Sequence, residues 1–135
     1  MSITRINPPE LHPTAGYSHL NLVDHARTLH LAGQMPLTRD GRLSGPDLDS
    51  QVDQTVANAM TALTVAGATP EDVVRTVIYV VSSEADVLGG VWDRLLASPL
   101  APAFTSASTL LGVAVLGVPG QLVEIDITAA LPLPG

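Results

Sequence analysis

The sequence contains neither cysteine nor lysine, and its basic residues are six arginines. Without cysteine, thiol nucleophiles, disulfides and thiolate zinc sites are excluded. Without lysine, Schiff-base catalysis and the phosphate-binding lysine of a P-loop are excluded as well. The chain also has no HExxH spacing, no nucleophile elbow and no glycine-rich phosphate loop. We therefore expect no metal and no cofactor.

Aromatic residues are scarce, at 3% of the chain, whereas hydrophobic residues make up 46%. The core must therefore be built mainly from leucine, valine, alanine and isoleucine. The formal net charge of -7 disfavours a nucleic-acid partner, because lysine and arginine supply most of the affinity for phosphate backbones. The length predicts one domain over residues 1–135, opening with an extended N-terminal arm over 1–15. The first residues lack the apolar core of a secretory signal, so we expect a cytoplasmic protein.

Formal charge is absent between Arg94 and Glu124, and the middle of this segment reads "TSASTLLGVAVLGVPG". Serine, threonine, glycine and proline interrupt it before it reaches the roughly 18 consecutive apolar residues that a membrane span needs. No membrane partner is therefore expected. Both faces of the strand predicted here are apolar or small, so neither face suits water. We expect this strand to be buried against another copy of the chain.

A hairpin is predicted over residues 17–33. Its two strands flank the turn "DHAR", with Val23 opposite Thr28. This pairing would place His19 and His30 on one face as diagonal neighbours, about 7–8 Å apart. A catalytic zinc usually has three protein ligands. Two imidazoles therefore predict polar or interface roles, and we expect no metal site here.

Two amphipathic helices and a central strand follow the hairpin. Residues 47–67 carry apolar side chains at spacings of four and three and stop at Gly67, which is typical of a helix. The β-branched run "VVRTVIYVV" indicates a central strand. A second helix is expected to be capped by Ser83 with Asp86.

The last strand, "LVEIDITAAL", alternates strictly between two faces. Val123, Ile125 and Ile127 would face the core, and Glu124 and Asp126 would face away from it. The predicted order is strand, strand, helix, strand, helix, strand, strand, which indicates an α+β fold with a mixed sheet. Two helices can cover only one face of such a sheet. We expect the other face to pack against sibling subunits.

Three residues are candidates for chemistry. Glu124 stands almost alone among uncharged neighbours and would suit general acid/base work, with an edge-exposed carboxylate as the alternative. Gly33 in "LAGQMP" permits close backbone approach to a ligand or another chain, although an ordinary turn is the more common reason for such a glycine. Tyr17 could place its phenol in a cleft or simply pack in the core.

Several motifs together resemble the reactive intermediate deaminase (Rid) family, also called the endoribonuclease L-PSP family. They are "GYSH", "LAGQMP", "QVDQTVANAMTAL", "DVVRTVIYV" and "VEIDITA", and the resemblance runs from about residue 15 to 131. It implies a chorismate-mutase-like α+β fold and a homotrimer with the helices outside. It also implies three small-molecule clefts between subunits.

The resemblance further implies a site. In deaminase members, a cleft arginine grips the carboxylate of an imine or enamine and an acid helps to position water, so that hydrolysis releases ammonia. Tyr17 and Glu124 match the catalytic tyrosine and acid of the family. The expected substrate-binding residues are Gly33, Ser108, Thr109 and His19.

The family's Pro-Ala-Arg-Thr motif aligns with residues 106–109, so Ser108 stands where the arginine should be. The resemblance thus implies a divergent member of the family that lacks the cleft arginine. Because arginine offers a charge-assisted bidentate clamp and serine only a neutral hydrogen bond, we expect weak deamination of anionic imino acids. Arg27, Arg75 or a neighbouring subunit's arginine could take its place.

Three functions remain open from the sequence. The first is an imine or enamine deaminase-type hydrolase with an atypical substrate. The second is a non-catalytic homotrimer that binds a small metabolite. The third is an endoribonuclease, which the acidic balance and the missing lysines disfavour.

Overall fold

A computed structural model describes residues 1–135 as an α+β fold, as predicted. It contains six strands, two α-helices and two short 3-10 turns. The strands are β1 Ser2–Ile6, β2 Leu20–Asp24, β3 Ala26–His30, β4 Val73–Val81, β5 Ala107–Val113 and β6 Val123–Pro132. The helices are α1 Leu48–Val65 and α2 Ala85–Leu96, and the 3-10 turns cover Pro70–Asp72 and Ala101–Thr105.

Four strands form the main sheet in the order β3-β6-β4-β5. β4 and β5 are parallel, whereas β6 is antiparallel to both β3 and β4, so the sheet is mixed as predicted. The alternation in β6 acts as expected: Val123, Ile125 and Ile127 are buried beneath the helices. Glu124 lies on the opposite face of the sheet, paired across the strands with Tyr79.

Helix α1 follows its sequence pattern closely. Val52, Val56 and Leu63 are buried in the core, and Gly67 adopts a φ of +79° just beyond the helix end. Helix α2 differs from expectation at its start. Its N-cap is Glu84, so the predicted cap at Ser83 is wrong. The hydroxyl that accepts the backbone N–H of Glu84 belongs instead to Ser82.

The predicted hairpin between β2 and β3 is wrong. β2 pairs antiparallel with β1 in a separate two-stranded ribbon, whereas β3 joins β6. His25, at a φ of +53°, forms the connection between them and turns the chain from one sheet into the other. The change of sheet lets Leu29 pack against the core. Because β2 and β3 do not pair, the expected diagonal contact of His19 with His30 loses its basis.

The predicted N-terminal arm over residues 1–15 contains one strand. Residues 2–6 form β1, and residues 7–19, which follow it, have no regular structure. The ribbon is tied to the main sheet by Arg5, whose guanidinium donates to the carbonyl oxygens of Glu71 and Val73, each at 3.2 Å. Partial burial lowers the pKa of Arg5. The arm therefore begins with a packed element.

The face of the main sheet that bears Glu124 has no helix over it. Apolar side chains on this face are only half-buried within one protomer: Val77, Tyr79, Val81, Leu111 and Val113. A patch of this kind is typical of a surface that meets another molecule. No helix in the structure has the length and apolar character to cross a membrane.

The N-terminus of α1 supports a pH-dependent contribution to stability. The Asp47 carboxylate accepts the backbone N–H of Ser50 at 2.9 Å, and this hydrogen bond, followed by the Ser50 hydroxyl, holds the pKa of Asp47 below its ordinary value of 3.8. The folded state therefore binds fewer protons than the unfolded chain, so this stabilisation is present above pH 3.8 and is lost as the pH falls through the lowered pKa.

We expect Asp47→Asn to weaken the loss of stability on acidification, because asparagine caps helices as well as aspartate but does not titrate. Thermal unfolding of both proteins between about pH 7 and 2.5 measures this. A steeper loss in Asp47→Asn than in the wild type would contradict the assignment.

Candidate functional site

A small cavity of about 300 Å³ opens on the helix side of the sheet, between the N-terminal segment, α2 and β5. It is lined by Ala15, Tyr17, Gly89, Trp92, Ser108 and Leu110. None of these side chains carries a charge. Two of the predicted site residues, Tyr17 and Ser108, thus come together in one pocket, which we call the Tyr17 pocket.

Contacts on both sides of Tyr17 hold it in this pocket. Its ring meets the Trp92 ring edge-on at a centroid distance of 6.2 Å, and Trp92 meets Phe104 of the core at 5.8 Å. The indole N–H of Trp92 donates to the carbonyl of Ala15 at 3.2 Å. The neighbouring Ser18 is buried and donates its hydroxyl to Thr105 at 2.7 Å. The segment bearing Tyr17 is therefore anchored to α2 and to the end of the second 3-10 turn.

The hydroxyl of Ser108 is already engaged within the protein. It accepts the hydroxyl of Thr76 at 2.6 Å and donates to the carbonyl of Ser106 at 3.2 Å. A hydroxyl has one proton to donate and two lone pairs. Ser108 can thus offer a ligand one remaining lone pair, but no proton unless its bond to Ser106 breaks.

Glu124 forms a second group with Gly33 on the opposite face of the sheet. Its carboxylate accepts the side-chain amide of Gln121 at 3.1 Å. Gln34, the residue after Gly33, exchanges two backbone hydrogen bonds with Ile125 of β6, at 2.7 and 3.0 Å. These bonds hold Gly33 beside β6. A methyl group added at Gly33 would lie 2.8 Å from the carboxyl carbon of Glu124. The glycine predicted to permit close approach therefore makes room for the predicted acid.

One protomer keeps these two groups apart. Ser108 is paired with Thr76 on the helix face, whereas Glu124 is paired with Tyr79 on the bare face. Strand side chains project perpendicular to a sheet. Tyr17 and Ser108 therefore cannot share a single cleft with Glu124 of the same protomer.

Thr109 and the two candidate replacement arginines lie outside the Tyr17 pocket. The guanidinium of Arg75 donates to the Thr109 hydroxyl at 2.9 Å and to the carbonyl of Ala107 at 3.3 Å. Both Arg75 and Thr109 are on the bare face, the side that carries Glu124. Arg27 donates to the carbonyl of Pro132 at 3.0 Å, at the β3 edge. No arginine of the protomer therefore replaces the missing guanidinium beside Ser108.

His19 lies next to the Tyr17 pocket without lining it. Its ring is 5.9 Å from that of Tyr17, and its Nε2 atom is 2.8 Å from the carbonyl oxygen of His12. The Nε2 atom of His12 in turn lies 2.9 Å from the Tyr17 hydroxyl. Sequence reasoning missed His12, because an irregular proline-containing segment has no periodicity from which to predict such a contact.

The largest cavity, about 720 Å³, is a groove between α1 and α2, away from all the predicted site residues. Its one cation, Arg94, donates two hydrogen bonds to the Asp53 carboxylate, at 2.8 and 2.7 Å. These bonds lower the pKa of Asp53 and raise that of Arg94. With its charge paired in this way, the groove offers no free group for chemistry. No cluster of three or more metal-ligating side chains occurs in the structure.

The pattern of the family described as endoribonuclease L-PSP matches residues 8–131. A solved structure, YyfB from Yersinia pestis, is described as a protein of unknown function of the conserved Rid protein family. It is 38% identical, with a TM-score of 0.87 over 97% of this chain and 100% of that one. Rv2704 from Mycobacterium tuberculosis is described as a member of the highly conserved YjgF/YER057c/UK114 family. It is 27% identical, with a TM-score of 0.62 over 96% of this chain and 100% of that one.

YyfA, also from Yersinia pestis and also described as a Rid protein of unknown function, shares the fold at 24% identity, with a TM-score of 0.67 over 96% of this chain and 100% of that one. No curated protein matches the sequence. The family pattern over most of the chain and the 38% identity to a Rid protein show that this chain belongs to the endoribonuclease L-PSP, or Rid, family.

Proposed function

We propose that the protein is a homotrimer whose clefts lie between subunits and hydrolyse a small uncharged imine, enamine or related carbonyl compound. Each cleft would combine the Tyr17 pocket of one subunit with Gly33 and Glu124 of its neighbour. Tyr17 would orient the substrate, and Glu124 would exchange protons with the attacking water. The observation that carries this proposal is the placement of the two groups on opposite faces of one sheet.

The bare sheet face supports the assembly. Its half-buried valines, leucine and tyrosine form an apolar surface that lies beside Glu124, and β5 stands at the edge of the sheet with no charged residue. Burying such a surface against another copy removes apolar area from water. The same contact would bring a second subunit alongside Glu124, which lines none of the main cavities of a single protomer.

The Tyr17 pocket supports an uncharged substrate. It has no cationic side chain, and the proton of Ser108 is already donated to Ser106. A carboxylate bound there would have no arginine to form charge-assisted bidentate hydrogen bonds. Compared with a pocket that has the arginine, its affinity should be lower by about tenfold or more. Glu124 from the neighbour would repel an anion further. We therefore expect anionic imino acids to be poor substrates.

A matched pair of imines tests this preference. Leucine with an amino-acid oxidase generates an anionic imino acid, and isoamylamine with a flavin amine oxidase generates an imine of similar shape without the carboxylate. We expect the protein to accelerate ammonia release from the uncharged imine at least about tenfold more than from the anionic one. If the wild type and Glu124→Gln release ammonia equally fast from both imines, the hydrolase proposal is ruled out.

Mixed oligomers test the shared cleft. Tyr17→Phe and Glu124→Gln are each expected to lower ammonia release strongly when assembled alone. If the two variants are refolded together in equal amounts, about a quarter of the clefts receive an intact Tyr17 and an intact Glu124, so about a quarter of wild-type activity should return. If each cleft were contained in one protomer, mixing the variants would restore no activity. That result would contradict the inter-subunit site.

A second candidate function is non-catalytic binding of a small metabolite in the same clefts. The internal hydrogen bonds of Ser108 favour it, because they leave the pocket with few free polar groups. Thermal stabilisation by a compound that is not turned over would support binding alone. Ribonuclease activity is disfavoured by the net charge of -7, and RNA cleavage that survives chelators and repurification would reverse that judgement.

A further inference from the structure

His12, Tyr17 and His19 form a chain of contacts, of which the proposed reaction uses only Tyr17. His19 Nε2 lies 2.8 Å from the carbonyl oxygen of His12, and His12 Nε2 lies 2.9 Å from the Tyr17 hydroxyl. The two imidazole rings meet edge-on at 4.6 Å. His19 thus holds the backbone of His12, and His12 in turn holds the hydroxyl of Tyr17, a residue that lines the pocket.

The chemistry of these groups limits which atom carries each proton. A backbone carbonyl can only accept a hydrogen bond, so the Nε2 atom of His19 must carry a proton. The contact between His12 and Tyr17 can run in either direction while His12 is neutral. If Nε2 of His12 is bare, it accepts the Tyr17 proton and leaves only phenol lone pairs for a ligand.

Protonation of His12 removes this freedom. An imidazolium carries protons on both nitrogens and can only donate. Its Nε2–H must then point to the Tyr17 oxygen, and the proton of Tyr17 has to turn elsewhere. Tyr17 lines the uncharged pocket, so the freed proton can be donated to a hydrogen-bond acceptor that reaches the Tyr17 hydroxyl from there.

We propose that His12 is a positioning residue that sets whether Tyr17 offers a ligand a proton or a lone pair. In its charged form His12 commits Tyr17 to donate, so the pocket favours uncharged acceptors such as a carbonyl oxygen or an imine nitrogen. This inference concerns one protomer. It holds whether or not the cleft is catalytic or shared between subunits.

His12 lies at the protein surface, in contact with two titratable side chains, Tyr17 and His19. Other charged groups nearby in the chain or on α2, which packs against this segment, are Glu10, Asp86, Asp93 and Arg94. None of them makes a hydrogen bond or ion pair with His12, and Arg94 is paired with Asp53. Histidine changes charge between about pH 5 and 8, which defines the range to test.

The test uses cyclohexanone as an uncharged acceptor and methylcyclohexane as a probe of similar shape without an acceptor. Binding is followed by NMR titration of the wild-type protein, where the indole N–H of Trp92, the single tryptophan, marks the pocket. We expect cyclohexanone to bind about three- to tenfold more tightly at about pH 5.5 than at about pH 8, the effect of one hydrogen bond. Methylcyclohexane should bind equally at both values.

Two variants separate this role from a merely structural one. His12→Gln keeps a hydrogen-bonding partner for Tyr17 but cannot change charge. The ratio of its affinities for cyclohexanone at the lower and the higher pH should therefore fall to about one. His30→Gln, on β3, removes another exposed histidine and should retain the wild-type ratio. The proposal is overturned if His12→Gln keeps the pH dependence, if methylcyclohexane shows it too, or if cyclohexanone fails to bind the pocket at either pH.

Discussion

Replacing Gln51 with alanine is expected to lower the free energy of unfolding by about 3–4 kcal/mol. Gln51 is fully buried at the start of α1. Its amide donates to the carbonyls of Gly45 and Gly120, at 2.9 and 3.0 Å, and its oxygen accepts the backbone N–H of Leu122 at 2.7 Å. The substitution would remove three hydrogen bonds, each worth about 1 kcal/mol, and would leave a cavity where the fully buried side chain stood.

The same substitution should reach the candidate site. Gly120 and Leu122 belong to the turn that leads into β6, and this turn also holds Gln121, whose amide contacts Glu124. When the turn is released from Gln51, Glu124 loses the neighbour that orients it. We therefore expect any activity that depends on Glu124 to fall more than the folded fraction alone explains.

Gln54→Ala is a matched control on the same helix. Its side chain is half-buried and makes a single hydrogen bond, to Asn58 at 2.9 Å, so the loss should stay below about 1 kcal/mol. Urea unfolding followed by circular dichroism measures both variants, at one protein concentration because self-association would add to the apparent stability. If both substitutions lowered the free energy of unfolding equally, the buried hydrogen bonds of Gln51 would contribute no more to stability than the single one of Gln54.

Gly112→Ala is expected to destabilise the protein by about 2–3 kcal/mol, although alanine ordinarily suits a strand better than glycine. A methyl group at this position would overlap the backbone carbonyl oxygen of Ser82 and approach Leu88 of α2 at 3.6 Å. Backbone atoms at the end of β4 cannot turn aside as a flexible side chain can. Relief requires β5 to shift, and such a shift would also disturb Ser108 and the Tyr17 pocket.

Gly117→Ala provides the comparison for this prediction. Nothing lies within 4 Å of the added methyl group there, and the residue does not adopt a positive φ. We expect a neutral or slightly stabilising effect, since alanine restricts the unfolded chain. Equal unfolding midpoints for the two variants would disprove a tight β4–β5 junction at Gly112.

Periodicity predicted the parts of the site that lie in regular structure with one clear buried face. In β6, apolar and polar residues alternate, so the side of the sheet that Glu124 occupies follows from the sequence. In β5 both faces are apolar or small, so the pattern cannot say which face Ser108 takes. That face depends on the parallel register with β4, in which Ser108 lies beside Thr76.

Contacts outside regular structure could not be predicted from the sequence, for a different reason. The failure of the β2–β3 hairpin arises from His25, where one residue of positive φ turns the chain between sheets. β1 then supplies the partner that β2 needs. His12 reaches Tyr17 through an irregular loop, whose path is determined by anchors such as Trp92 rather than by its own residues.

The sequence by itself determined the α+β class, the two helices, the buried face of β6 and the serine at position 108 where the family motif has arginine, because each follows from residue type and local spacing. Only the tertiary structure decided that Tyr17 and Glu124 lie on opposite sides of one sheet, and that His12 holds the Tyr17 hydroxyl. Both depend on strand register and long-range anchoring. These are chosen by the free energy of the whole packed core, which no short segment encodes alone.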